Sequence, residues 1–170
     1  MGVNLLQIVE IKDIAAYQDE LATLFQDVVA EGAALNYLYP MHYETAIHYW
    51  KHVVSEQVRL FICLLDGKLV GTVQLHLANK ENGLHRAEIA KLMTHPEARR
   101  KGVARKLLQS AEQAAKHEKR TLLLLDTAKG SSANMLYQSE GYELYGEVPA
   151  YSQDAFGNYK DNNFYYKIVK

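Results

Sequence analysis

Residues 98–107, Ala-Arg-Arg-Lys-Gly-Val-Ala-Arg-Lys-Leu, place five cations around one glycine. The whole chain carries 19 Lys and Arg against 20 Asp and Glu over 170 residues, so no global field accounts for the cluster. A helix starting near Val103 gives it a use. The first-turn amides of a helix lack internal acceptors and its dipole is positive at that end, so a glycine turn leading into it binds anions. Gly102 would let the backbone approach such a ligand closely. Arg99, Arg100, Lys101, Arg105 and Lys106 oppose the helix dipole unless an anion compensates them, and a diphosphate suits them. A nucleic-acid patch is the weaker reading, because such patches lie on exposed arms or are echoed by basic residues elsewhere. A dinucleotide-binding fold is also disfavoured: G-x-G-x-x-G is absent and the turn follows several antiparallel strands.

The elements that position this turn follow from hydrophobic spacing. Residues 3–9 are predicted to be a strand. After Asp13 as N-cap, the apolar recurrence of Ile14, Tyr17, Leu21, Leu24, Phe25 and Val28 predicts an amphipathic helix, and a second helix is predicted at about 42–56. Two β-rich runs flank Asp66-Gly67, a hairpin signal. Residues 79–83 turn into a strand antiparallel to the one before. From Val103, Ala104, Leu107, Leu108, Ala111, Ala114 and Ala115 line one face of a third helix, and a strand follows over 121–127. The crossover length places residues 87–94 and 121–127 parallel to each other. A short helix over 131–140 stops at Gly141, and strands at 142–148 and 162–169 flank a polar loop. The expectation is one α/β domain over residues 1–170, with a mixed, mostly antiparallel sheet of about seven strands and about four helices.

Arg99-x-x-Gly102-x-Ala104 after a strand matches the [Q/R]-x-x-G-x-[G/A] motif of the GNAT superfamily, the acetyl-coenzyme A dependent N-acetyltransferases. Residues 135–151, MLYQSEGYELYGEVPAY, resemble that superfamily's later Tyr-then-Gly-aromatic segment, and the order of elements matches from residue 3 to the end. More narrowly, residues 82–108, LLLLDT and GEVPAY look like those of the tabtoxin-resistance acetyltransferases, which modify a small amino-bearing β-lactam toxin. The resemblance implies that the backbone from Arg99 through Arg100, Lys101, Gly102 and Val103 to Ala104 holds the coenzyme pyrophosphate, with Arg105 alongside. It also implies that Leu92, Met93 and Thr94 run beside the pantetheine arm. Two positions depart from the family pattern. Gly130 stands where many members carry Asn, leaving Asn134 one turn later for that contact, and Thr94 replaces a usual valine.

Amine acetylation needs a neutral nucleophile, and an alkyl amine of pKa about 10.4 is uncharged in roughly one molecule in a few thousand at pH 7. A proton acceptor near the thioester is therefore useful. Glu88 precedes Arg99 by 11 residues, the spacing at which family members carry a base. Without the resemblance it reads equally as an exposed carboxylate at a strand entry. Asp126 ends TLLLLD, where ligands of parallel strand pairs bind, although alone it reads as a turn or helix cap. Tyr137 holds the family position of the acid that protonates the departing thiolate. Moving a proton from a phenol of pKa about 10 to a thiolate near 8.5 is uphill by roughly 2 kcal/mol, so its help should be modest.

The expected function is an acetyl-coenzyme A dependent N-acetyltransferase acting on a small-molecule amine. A coenzyme-binding sensor without turnover and a protein-amine acetyltransferase are the other readings. No metal is expected: His48 and His52 have helical metal spacing but no Glu follows the first of them. Cys63 reads as a small core residue. The late-loop aromatics Tyr151, Phe156 and Tyr159 suit a cover over the acceptor or a homodimer contact. Neither nucleic-acid nor membrane partners are expected. The start of the chain lacks the pattern of a signal peptide or a myristoylation site, and the expected location is cytoplasmic.

Overall fold

Seven strands form one sheet in the computed structural model, which describes residues 5–170. In chain order the elements are β1 (Leu6–Ile11), α1 (Gln18–Ala30), α2 (Tyr43–Lys51), β2 (Val58–Leu65), β3 (Lys68–Leu77), β4 (Arg86–Thr94), α3 (Val103–His117), β5 (Leu122–Ala128), α4 (Ala133–Ser139), β6 (Glu143–Gln153) and β7 (Tyr159–Ile168). The sheet runs β1-β2-β3-β4-β5-β7-β6, and only β4 and β5 pair in parallel. The Met1-Gly2 start and residues 3 and 4 of the expected first strand lie outside the described residues. No described helix is long and apolar enough to cross a membrane.

Strand alternation divides the core in two. Leu60, Ile62 and Leu64 of β2 pack with Leu21, Phe25, Ile47 and Trp50 under α1 and α2. Cys63 of β2, Val73 and Leu75 of β3, and Leu123 and Leu125 of β5 pack with Leu107, Leu108 and Ala111 of α3 on the opposite face. Trp50 is fully buried, and its indole N–H donates to the Leu21 carbonyl at 2.9 Å, which pins α2 to α1.

Several boundaries differ from expectation. α1 begins at Gln18, because the Asp13 carboxylate accepts from the Ala15 N–H at 2.9 Å and so closes a turn ahead of the helix instead of capping it. α2 is shorter than expected, ending at Lys51. The late polar loop is mostly strand. Asp154 accepts from the N–H groups of Phe156 and Asn158 at 2.9 and 3.0 Å, closing a tight turn between β6 and β7. Phe156 at that turn meets Tyr39 edge-on at 6.0 Å, and Tyr39 N–H donates to the Ala155 carbonyl at 2.7 Å. The tip of the β6–β7 hairpin thus clasps the segment between α1 and α2.

The parallel pairing is much shorter than 87–94 against 121–127. It covers Arg86–Leu122, Ala87–Leu123 and Glu88–Leu124 only, after which β4 continues to Thr94 and β5 to Ala128 without a ladder between them. The cause lies in β4. Thr72 pairs with Met93 but Gln74 pairs with Ala90, so Lys91 and Leu92 together oppose Val73. Lys91 takes φ +52° to make this bulge, which bends the strand and raises its twist. The bulge also inverts the side-chain alternation: Ile89 packs under α3, whereas Met93 packs under α1.

Candidate active site

The turn before α3 is built on left-handed backbone. A 3-10 turn over Pro96–Ala98 leads to Arg99 in extended backbone, then Arg100 at φ +61° and Gly102 at φ +82°. A Cβ at Gly102 would meet nothing within 4 Å, so the left-handed backbone is what calls for glycine there. The first helical bond runs from Lys106 N–H to the Gly102 carbonyl at 3.1 Å. The N–H groups of Val103, Ala104 and Arg105 have no acceptor among the described residues. No side chain caps them and no acidic residue occupies the first turn. Gly71 of β3 brings this helix end onto the sheet: a Cβ there would stand 2.7 Å from Val103 and 2.9 Å from the Met93 carbonyl.

The five cations are not equivalent. Arg105 is paired with Glu140 at the end of α4, which also accepts from the Gln109 amide at 3.1 Å. Arg99 lies 3.6 Å from Glu31 at the end of α1. Arg100, Lys101 and Lys106 are exposed and have no ion pair among the described residues.

Leu92, Met93 and Thr94 follow the bulge, and there β4 has lost its neighbour. Leu92 is half-buried against the α3 side, Met93 is buried, and Thr94 pairs with Gly71. A strand edge without a partner offers unpaired N–H and C=O groups to an extended ligand.

Glu88 and Asp126 come together on one face. His76 pairs with Glu88 across β3 and β4, and Gln74 and His76 alternate with the α3-facing Val73 and Leu75, which puts Glu88 on the side of α1 and α2. Asp126 alternates with the α3-facing Leu123 and Leu125 and takes the same side. The Glu88 carboxyl is pushed above its ordinary value, first by desolvation and then by the Asp126 charge, while Lys91 pulls the other way. The Glu88 side chain nevertheless stays solvent-exposed, and its carboxylate makes no hydrogen bond to the described residues. Asp126 is held: the amide of buried Asn162 donates to it at 2.8 Å, and Asn162 in turn accepts from the Ser152 hydroxyl at 2.8 Å.

Tyr137 is buried between the rings of Tyr142 and Tyr165, both at 5.9 Å. Its phenol is pushed well above the ordinary range, mainly by burial and then by the Asp126 charge, which makes it a weaker acid than a free tyrosine. Asn134 is spent on the protein. Its amide donates to the Ala128 and Ser131 carbonyls at 3.0 and 2.9 Å, and its oxygen accepts from Tyr165 at 2.8 Å and from Asn163 at 2.9 Å. That leaves the side chain no free group with which to meet a coenzyme, and its geometry is that of a clamp between the α4 turn and β7.

Four further polar residues share this cleft. The Gln74 amide donates to the Tyr49 hydroxyl at 2.8 Å and its oxygen meets His76 at 2.9 Å. Tyr49 is pushed up to about 12 by burial, against the Gln74 hydrogen bond. Desolvation lowers both His76 and Lys91. None has a motif in the sequence. Gln74 and His76 could have been found from their alternation with Val73 and Leu75, but Lys91 reaches the cleft only through the bulge.

A family model described as "Acetyltransferase (GNAT) family" matches residues 18–142. This chain belongs to the GNAT acetyltransferase family. A described relative, an uncharacterized N-acetyltransferase in the hisH-hisA intergenic region of Azospirillum brasilense, is 32% identical over 111 residues. That match spans 63% of this chain and 66% of the relative. The fold is shared with the ribosomal-protein-alanine N-acetyltransferase of Brucella melitensis, with TM-score 0.81 and 22% identity over 96% of this chain and 99% of that one. It is shared as well with an N-acetyltransferase of Staphylococcus aureus Mu50, at 0.83 and 18% over 98% and 99%. YncA of Salmonella typhimurium, solved with its cofactor acetyl-CoA, superposes at 0.81 and 16% identity over 98% and 95%. In this GNAT chain the unpartnered first-turn amides of α3 and the parted strands β4 and β5 fit an extended, diphosphate-bearing coenzyme.

Proposed function

We propose that this chain is an acetyl-coenzyme A dependent N-acetyltransferase that transfers acetyl directly to the amine of a small molecule. The observation that carries this reading is the gap between β4 and β5, which ends at the anion-binding turn and has Glu88 and Asp126 on its α1 side. The coenzyme, when bound, supplies the activated acetyl group as a thioester. Backbone N–H groups from Arg99 to Ala104, with Arg100, Lys101 and Arg105 around them, hold its pyrophosphate. Leu92 to Thr94 align its arm along the free edge of β4, and a β4 amide near Met93 donates to the carbonyl oxygen as charge builds there.

Glu88, its carboxyl raised by desolvation and the Asp126 charge and open to solvent, accepts the amine proton directly or through water. Asp126, oriented by Asn162, holds the ammonium form of the incoming amine nearby. Tyr137 donates to the departing sulfur. Asn134 and Asn162 act as positioning residues. The cleft's two carboxylates favour an amine that arrives as a cation. The resemblance of residues 82–108 to the tabtoxin-resistance enzymes supports a toxin- or antibiotic-like acceptor of small size. Phe156 at the β6–β7 hairpin tip closes onto Tyr39 of the α1–α2 segment, which supports its reading as part of an acceptor cover.

Release of free thiol from acetyl-coenzyme A, measured across a panel of small amines and amino-terminal peptides, tests the reading. Release dependent on a small amine is expected. Tight coenzyme binding with no amine-dependent release would make the chain a sensor, and release with peptides alone would make it a protein acetyltransferase.

A further inference from the structure

Lys91 is an amine already standing in the acceptor cleft. It is half-buried, and among the described residues its ammonium has neither an ion pair nor a hydrogen bond. Yet it lies within the fields of Glu88, Asp126 and His76. A non-glycine residue at φ +52° carries a steric cost that glycine would avoid, so backbone geometry alone does not favour lysine at the bulge. The residue that follows it, Leu92, starts the free edge of β4 along which the proposed thioester arm runs.

The titration shifts reinforce the placement. Burial draws the Lys91 amine down and the Glu88 carboxyl up, so the two approach each other and a proton passes between them at less cost than between a free lysine and a free glutamate. Base and nucleophile are thus held in one cleft by a single strand, Glu88 ahead of the bulge and Lys91 within it.

We infer that Lys91 is a self-acetylation site, an internal acceptor that takes the acetyl group when no external amine is present. The inference rests on the coenzyme reading above. The Lys91 ammonium gives one proton to Glu88. Its nitrogen then forms the C–N bond with the thioester carbonyl carbon as the C–S bond breaks. The second nitrogen proton ends on the sulfur, leaving a neutral amide and a free thiol. Acetylation removes a cation whose charge offsets Glu88 and Asp126 in the cleft.

The test is to incubate the full chain with acetyl-coenzyme A and no acceptor, follow intact mass, map the modified peptide, and measure coenzyme affinity on the same material by calorimetry. One acetyl group per chain is expected at Lys91, appearing about tenfold or more faster than on exposed Lys51 and Lys119. Glu88→Gln should slow this labelling, and Lys91→Arg should lack it while still binding coenzyme. Bound coenzyme with an unmodified Lys91, or with Lys91 labelled no faster than Lys51, would overturn the inference and leave the acetyltransferase reading intact. Absence of coenzyme binding would overturn both.

Discussion

Glu88 and Asp126 face the same side of the sheet, one at the last paired position of β4 and the other on β5 just past the point where the two strands separate. Each is close enough for the Asp126 charge to raise the Glu88 carboxyl. As the proposed base, Glu88 must be ionised to accept a proton, so its raised pKa is expected to move the acid limb of the rate profile above the ordinary glutamate value. Glu88→Gln is expected to lower kcat/KM about 100-fold and flatten that limb. An unchanged limb would transfer the role to Asp126 or to water.

The same substitution should stabilise the fold at neutral pH. A carboxyl whose folded pKa lies above its unfolded one contributes stability in acid, and loses that contribution as pH rises through the folded pKa. Above that range ionised Glu88 weakens the fold, and glutamine removes the penalty. Thermal unfolding at pH 5 and pH 8 would check this: the gain in Tm should appear at the higher pH.

As the proposed acid, Tyr137 is expected to contribute less than its place suggests. Burial and the Asp126 charge raise its phenol, so giving a proton to a thiolate near pKa 8.5 is more uphill than for a free tyrosine. Tyr137→Phe should reduce kcat by about tenfold or less. Wild-type turnover would remove Tyr137 from the mechanism.

Gly102→Ala isolates the backbone requirement of the anion turn. With open space around the position, the added methyl meets no atom, and the cost is the left-handed conformation alone, about 1–2 kcal/mol. A matching loss in unfolding free energy, with weaker coenzyme binding, is expected from denaturation and titration.

Asn134→Ala separates clamp from contact. Removing an amide that joins Ala128, Ser131, Asn163 and Tyr165 should cost about 2–3 kcal/mol of stability. Full stability with a large loss of coenzyme affinity would make Asn134 a ligand contact after all.

The sequence carries most of the fold because its local signals agree. Asp66-Gly67 marks a hairpin, and both residues do take positive φ there. The apolar stripe from Val103 to Ala115 marks α3, and Gly102 marks its start. The left-handed turn before α3 was legible from Gly102, and its charge, which conflicts with the helix dipole unless a ligand resolves it, is what points to an anion there. The bulge at Lys91 was not legible. No glycine, proline or asparagine announces it, and a lysine between Ala90 and Leu92 looks like an ordinary solvated strand position. With the bulge hidden, the early separation of β4 from β5 and the cleft positions of Gln74, His76 and Lys91 were hidden as well. Asn134 is ambiguous for a different reason: a side chain with both donors and an acceptor fits a ligand contact and an internal clamp equally well until its partners are seen.

The most direct measurement is calorimetric titration of acetyl-coenzyme A into the full chain at two salt concentrations. One saturable site per chain is expected, with affinity falling as salt rises, as the proposed grip of the Arg99 to Ala104 turn on phosphates requires. Well-folded protein that takes up no coenzyme at millimolar ligand would contradict the account.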